Sequence, residues 1–282
     1  MSASANHHFI PKAILRRFCF SGNQVYYFSK SSNRAIVEPR NIESIFKKRH
    51  LNSYTMEDGT KDDGLEQFFA YNFDARIGSV IDYAELCSKN EKVFSFSEDE
   101  ILFLVQFIYN HIKRSPDFHQ PIIDEISRED FFVQAVAEFE TKYGVLSPEK
   151  HDNITSVESR KRIIDQSRVI NLSRQSTEIL DRLAKMLPVM ATPKSRKDQF
   201  IIGSNPVVRF SNSIGDNLDD DHVELWTTLT PRVAVGLVKH ETSLMPLRLD
   251  RKDVVKINKE IEKHSNSIAA ASKELLKKLS KA

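Results

Sequence analysis

The run His7 to Phe18 (HHFIPKAILRRF) packs two histidines, a proline and three cations into twelve residues. Those side chains suit acid–base and anion chemistry. A histidine titrates near neutral pH and can give or take a proton. Lysine and arginine hold phosphate or carboxylate oxygens. Pro11 suits the start of a helix, where a missing N–H costs nothing. The spacing therefore predicts a helix from about Pro11 to Cys19. Ile14, Leu15 and Phe18 lie on its apolar face; Lys12, Arg16 and Arg17 lie on its charged one. His7 and His8 then stand just before a helix N-terminus, whose free N–H groups favour an anion. On that reading His8 is an acid or base, and His7 and Lys12 contact the substrate. The bland alternative is an N-terminal arm docked by its apolar residues, with His8 bonded to a backbone carbonyl and solvated arginines.

A second group of chemically capable residues sits in the run Ser97 to Pro116. Ser97-Glu98-Asp99-Glu100 is a capping box, and the segment behind it is apolar on almost every side. A helix of that kind belongs in the core. Gln106, Asn110 and Arg114 nevertheless recur at intervals of four, with His111 and Lys113 beside them. Buried polar and charged groups need partners. Arg114 thus requires a carboxylate or an anionic ligand, and Glu66 is the carboxylate expected across the core. Either Arg114 ties the structure together, or it faces the same pocket as His8. Further along, Ser204-Asn205-Pro206 forms a turn, and Asn205 is the substrate-orienting candidate there. Asp219-Asp220-Asp221-His222 has metal-ligating residue types without the glycine-spaced pattern of a calcium loop.

The opening run resembles the first motif of the domain of unknown function 4238 family: two histidines, an aromatic, an aliphatic, a proline, then Leu-Arg-x-Phe. Three other stretches are similar to that family in the same order. Gly64 to Tyr83 resembles its Glu-rich helix, with Glu66 matching the acidic position. Asn110 to Pro116 (NHIKRSP) resembles a helix ending in Arg-Thr-Pro. Phe200 to Val208 (FIIGSNPVV) resembles a strand and turn ending in Asp-Asn-Pro-Val. The chain departs from the pattern at Ser115, where Thr is common in the family, and at Ser204, where the family usually has Asp; a carboxylate that would favour a metal is absent at Ser204. The resemblance implies one compact domain of mainly microbial distribution, with no established activity.

The elements that must position these residues are mostly helical. Leu65 to Ser88 reads as one long amphipathic helix, Pro121 to Tyr143 as another ending at Gly144, and Val157 to Leu187 as a third. Asn41 to Arg49 reads as a short helix closed by cations, and Asn52 to Asp63 as an acidic loop. Asp250 to Ala282 reads as terminal helix. Strands are expected at Gln24–Ser29, Ala35–Glu38, Gln199–Gly203, Val207–Ser211, Glu224–Leu229 and Arg232–Val238. The predicted fold is helix-dominated α+β: long helices packed on one small antiparallel sheet built from N- and C-terminal strands. The chain of 282 residues is read as a single domain. It comprises an N-terminal arm and hairpin (1–40), a helical core (41–187), C-terminal strands (199–240) and terminal helices (250–282).

Composition narrows the function classes. Eight glycines and no GxGxxG, Walker, HExxH or GxSxG motif argue against dehydrogenases, kinases, zinc proteases and serine esterases. Cys19 and Cys87 lack CxxC spacing and read as reduced thiols. No apolar run is long enough to span a membrane, and no leader precedes His7, so the expectation is a cytoplasmic protein without membrane association. The net charge of +2 hides an uneven spread: +7 over residues 1–50, −13 over 51–159, and +4 over each of 160–254 and 255–282. Either these segments neutralise one another in the fold, or the basic ones share a face that meets an anionic polymer.

Three functions compete. The first is a phosphodiester-acting enzyme, an RNase or nuclease of a microbial toxin or antiphage defence system. Its catalytic set would be His8, Arg17, Arg114 and Glu66, and its substrate contacts His7, Lys12, Asn110, His111 and Asn205. RNA suits it, because the 2′-hydroxyl supplies the nucleophile; no cofactor is expected and no motif supports Mg²⁺. The second is a non-enzymatic sensor of nucleic acid or another anionic ligand. The third is a buried network of His8, Arg17, Arg114 and Glu66 that locks the arm to the core.

Overall fold

A computed structural model describes residues 5–32, 36–56, 58–90, 92–211, 218, 220–239 and 246–281. The fold is helix-dominated α+β. The chain opens with strand β1 (Asn6–His8) and a short helix α1 (Lys12–Arg17), capped by Pro11 rather than containing it. Strands β2 (Gln24–Ser29) and β3 (Glu38–Asn41) form the expected hairpin, with the second strand shifted past Ala35, which lies outside the described residues. The expected helix over 41–49 is not formed. A single 3-10 turn (Ile42–Ser44) leads into strand β4 (Lys47–Arg49), which pairs with β1. Phe46 and His50 bracket that strand with positive φ angles of 49° and 51°, which a helix cannot contain.

The acidic loop carries a two-residue ladder, β5 (Tyr54–Thr55) with β6 (Lys61–Asp62). The long amphipathic helix follows as α2 (Gly64–Phe69) and α3 (Ala75–Asn90), joined by a π-helical turn at Ala70–Asp74. Of its expected apolar positions, Phe69, Phe73, Ile77, Val80, Ile81 and Ala84 are buried, Leu65 is half-buried and Phe68 is exposed. Helix α4 (Glu98–Arg114) begins with the reciprocal Ser97–Glu100 box, as the sequence requires. Pro116 stops it and at once starts α5 (Pro116–Ile126), capped by Ser115. The helix expected over 121–143 is therefore two, with α6 (Glu129–Tyr143) beginning after Ser127-Arg128. After α7 (Pro148–Thr155), the run over 157–187 also breaks. It forms α8 (Val157–Ser173) and α9 (Thr177–Ala184), because Ser176 caps a new helix.

The single antiparallel sheet is corrected to four sheets, one of them mixed. Strands β7 (Leu187–Pro193), β8 (Ile202–Gly203), β9 (Val207–Phe210), β10 (Glu224–Thr230), β11 (Val233–Val238) and β12 (Leu247–Leu249) come next. Helix α10 (Arg251–His264), strand β13 (Ser267–Ala270) and helix α11 (Lys273–Leu279) end the chain. Five strands run β12-β7-β11-β10-β9, with β12 parallel to β7. Pro188 is tolerated in β7 because β12 pairs only with Ala191 to Pro193, leaving that end of β7 with one neighbour. Four strands run β3-β2-β13-β8. The N-terminal hairpin thus pairs with a strand hidden in what reads as terminal helix. The two halves expected as one strand-turn-strand, β8 and β9, lie in different sheets.

The five-stranded sheet is buried on both faces. Val233, Val235 and Leu237 face a core shared with α1, α3 and α4; Ala234 and Val238 face a second core with α10 and α11. That alternation is the two-residue period of a strand. Gly236 sits opposite Trp226, where an added Cβ would meet the indole at 2.8 Å.

Candidate functional site

Pairing of β1 with β4 places His7 opposite Lys48 and His8 opposite Lys47, and both histidines are buried. His7 Nδ1 accepts the backbone N–H of Asn52 at 3.0 Å, so a neutral ring carries its proton on Nε2, 3.6 Å from Asp63 Oδ1. Asn52 Nδ2 donates to Glu66 Oε2 at 2.6 Å. His8 Nε2 lies 3.2 Å from the carbonyl of Ile42. Burial is the main force holding the His8 pKa below its ordinary value, and the Ile42 carbonyl opposes it.

Arg114 reaches this cluster from the end of α4. Its guanidinium donates to Asp74 Oδ1 at 2.6 Å, to Asp74 Oδ2 at 3.2 Å and to the carbonyl of His8 at 2.8 Å, and it lies over the Phe69 ring. Burial disfavours its charge, and the Asp74 carboxylate more than restores it, so its pKa lies above the ordinary value. The carboxylate anticipated for Arg114 is therefore Asp74, eight residues beyond Glu66 and inside the π turn. Arg168, from α8, adds a second buried guanidinium. It donates to the carbonyl of Leu51, to Asn52 Oδ1 at 3.2 Å and to the carbonyl of Arg114 at 2.9 Å. Burial, followed by the Arg114 charge, pulls its pKa down to about 9.

The other sequence-selected residues have separate partners. Arg17 pairs with Asp82 and with Glu85 (2.9 Å) on α3. Lys12 pairs with Glu43 at 2.6 Å. Asn110 donates to the Gln106 carbonyl one turn back. His111 packs on Phe107 with no hydrogen-bond partner for either ring nitrogen, and burial drives its pKa down to about 3. The structure thus gathers His7, His8, Glu66 and Arg114, and it adds Asn52, Asp63, Asp74 and Arg168. In this closed arrangement the side chains bond to one another and to carbonyls, tying the N-terminal strand to α2, α4 and α8.

The two weaker sequence motifs meet at a different place. Ser115 Oγ donates to the carbonyl of Ser204 at 2.7 Å, and the Ser204 hydroxyl donates to Asp117. Asp117 also accepts the backbone N–H and side-chain amide of Asn266, each at 2.9 Å. This web clamps the Ser204-Asn205-Pro206 turn onto the junction of α4 and α5. Beside it opens a cleft of about 560 Å³ walled by α4, α5, the α8–α9 junction, β9 and the end of α10. Tyr109, Leu183, Val207, Val208 and Leu225 form buried parts of its lining; Lys113, Arg174, Arg209 and His264 bring cationic and titratable groups. Among the described residues, no aspartate or glutamate lines it. Asn205 lies in the wall, its backbone N–H bonded to Ser265 and its Oδ1 buried without a hydrogen-bond partner. His264 Nε2 lies 2.8 Å from Glu260 Oε1, one turn back on α10.

Asn205 is the residue that the sequence selected in this lining. It did not select Arg174, Arg209 and His264 as site residues, because they come from three distant elements with no shared motif. A second cleft of about 610 Å³ lies by the end of α8, between Asn52, Tyr54, Leu65, Phe68 and Val169, with Asp62 in its wall. Of the acidic run, Asp219 lies outside the described residues, and Asp220 accepts from Ser211 and from the backbone of His222. Among the described residues, no group of three or more His, Cys, Asp or Glu is placed to hold a metal ion, and no helix is long and apolar enough to cross a membrane.

A family model described as a protein of unknown function (DUF4238) matches residues 6–274. Neither the curated proteins nor the solved structures contain a match.

Proposed function

The chain belongs to the DUF4238 family, which carries no assigned activity, and from the geometry we propose that it is a binding protein whose cleft takes a small anionic ligand. One observation carries this reading. The cleft carries the exposed Arg174 and His264, with Arg209 and Lys113 also in its lining, and no carboxylate lines it among the described residues. A concave, largely apolar site of roughly 300–1,000 Å³ with a few convergent polar groups is the usual form of a small-molecule site. One-signed charge around such a cleft raises the local concentration of the opposite ion. On this reading the opening cluster has a structural task. His8, Glu66 and Arg114 lock the arm, and Arg17 ties α1 to α3. The unpaired Cys19 and Cys87 fit a reducing, cytoplasmic setting.

Calorimetric titration with inorganic phosphate, AMP, dodecanoate and a short RNA tests the proposal. At least one anion is expected to bind, and Arg174→Ala with Arg209→Ala is expected to weaken it tenfold or more, by about 1.4 kcal/mol. Absence of binding by every anion, or binding that ignores both substitutions, overturns it.

A second reading is supported by His264 and Glu260. A histidine oriented by a carboxylate in a cleft that also holds Arg174 is a suitable acid–base group for phosphodiester cleavage, with RNA as substrate. Incubation with RNA and plasmid DNA, in Mg²⁺ or in EDTA, tests this. Cleavage lost in His264→Ala would establish it; cleavage lost only in His8→Ala would return catalysis to the opening motif. Intact nucleic acid throughout removes the enzyme reading.

A further inference from the structure

Resting on the anion-binding reading of the cleft, we infer that its ligand is an amphiphile: an apolar, acyl-like body lying inside and an anionic head held at the mouth by Arg174. The distribution of polarity in the cleft is the first argument. Its buried lining is apolar, and Phe118, Ile122 and Ile179 stand on the rim 39%, 42% and 38% exposed. Large apolar side chains left in water around a concave apolar surface mark a surface that an apolar partner covers.

The position of the charges is the second argument. Lys113 is buried in the wall, but its ammonium is spent on the carbonyls of Asn171 and Arg174, at 2.6 Å each, and on the Tyr109 hydroxyl. It closes the C-terminal end of α8 and has little left for a ligand. A phosphate seated at the floor would thus lie among apolar groups without adequate donors, which is costly. Arg174 is exposed at the mouth and His264 is half-exposed beside it, so the head is held there.

The class that satisfies both conditions is a medium-chain carboxylate.

The experiment compares dodecanoate, dodecanol, AMP and inorganic phosphate by calorimetry on the full chain, below micellar concentrations. Dodecanoate is expected to bind, and Arg174→Ala is expected to weaken it roughly tenfold. Dodecanol is expected to bind more weakly, with an affinity indifferent to Arg174→Ala. Ile179→Glu, on the exposed rim and checked for an unchanged melting temperature, is expected to weaken both dodecanoate and dodecanol. Binding of AMP or phosphate without dodecanoate would leave the anion reading standing and overturn the amphiphile. Binding of no anion would overturn both. Dodecanoate binding that ignores both Arg174→Ala and Ile179→Glu would overturn the assignment to this cleft.

Discussion

Arg114 is 2% exposed, and Asp74 is the carboxylate that neutralises it. Removing one member of a buried pair leaves the other uncompensated, at about 3–5 kcal/mol. Arg17 meets two carboxylates as well, but it is 35% exposed and its partners are more so; pairs of that kind are worth about 0–1 kcal/mol. Arg114→Ala is therefore expected to lower the urea midpoint far more than Arg17→Ala, and equal shifts would remove the structural role given to Arg114. The buried histidines make a second prediction. His111 is pushed down from the ordinary 6.5 to about 3, chiefly by burial, and His119 to about 4 by burial and then by the Arg168 charge. Between 6.5 and those values the unfolded chain binds protons that the folded chain refuses. Their stabilising effect is complete above pH 6.5 and falls as the pH drops. Most carboxylate effects begin lower, near the ordinary 4.5 of Glu43. Urea unfolding at pH 7.5 and pH 5.0 should thus differ by about 2 kcal/mol for each such histidine. His111→Leu should remove its own share, and an unchanged pH slope in that variant would refute the assignment.

Among the elements, β13 shows how far local sequence reaches. Its residues Ser267-Ile268-Ala269-Ala270 have the composition of a helix, yet they form the strand between β2 and β8. Four residues carry too little pattern to reveal a period, and alanine fits where two sheets and two helices crowd together. The strand β4 was hidden for a related reason: its partner, β1, lies some forty residues earlier, and only that pairing makes 47–49 extended. Long periodic elements were legible. The apolar spacing of the 64–90 run and the cap at Ser97 determine their local structure. The need of Arg114 for a carboxylate was legible too, whereas the choice of Asp74 over Glu66 depends on a π turn that no spacing announced. Glycines separate the crowded elements from the open ones. A Cβ on Gly203 would overlap the Ser265 hydroxyl and lie 2.6 Å from Ile261 Cγ2, so Gly203→Ala must push α10 off β8, at about 1–3 kcal/mol. Gly78, within α3, has nothing within 4 Å, and Gly78→Ala should gain up to about 1 kcal/mol from helix propensity. Denaturation of the two variants should move in opposite directions; a common sign would contradict the packing described for β8.

Across the whole molecule, the acidic middle and the basic first segment meet at least where Arg17 on α1 reaches Asp82 and Glu85 on α3. Mutual neutralisation of the segments therefore accounts for part of the uneven charge. The cleft differs from that contact in its lining, where no aspartate or glutamate stands among the described residues. Its walls come from α4 and α5, from the α8–α9 junction, from β9 and from the end of α10, elements spread over more than half of the chain. A ligand that touches all of them binds only the folded molecule, and mass action then stabilises that state. At a free concentration one hundred times Kd the gain is about 2.7 kcal/mol, which for a chain of this size raises the melting temperature by roughly 5 °C or more. Scanning calorimetry with a saturating acyl carboxylate should show that rise in the wild type. At the same ligand concentration a tenfold weaker Arg174→Ala should show about half of it, while melting as the wild type does without ligand, since Arg174 is exposed. A rise of equal size in both proteins would place the anion somewhere other than the cleft mouth.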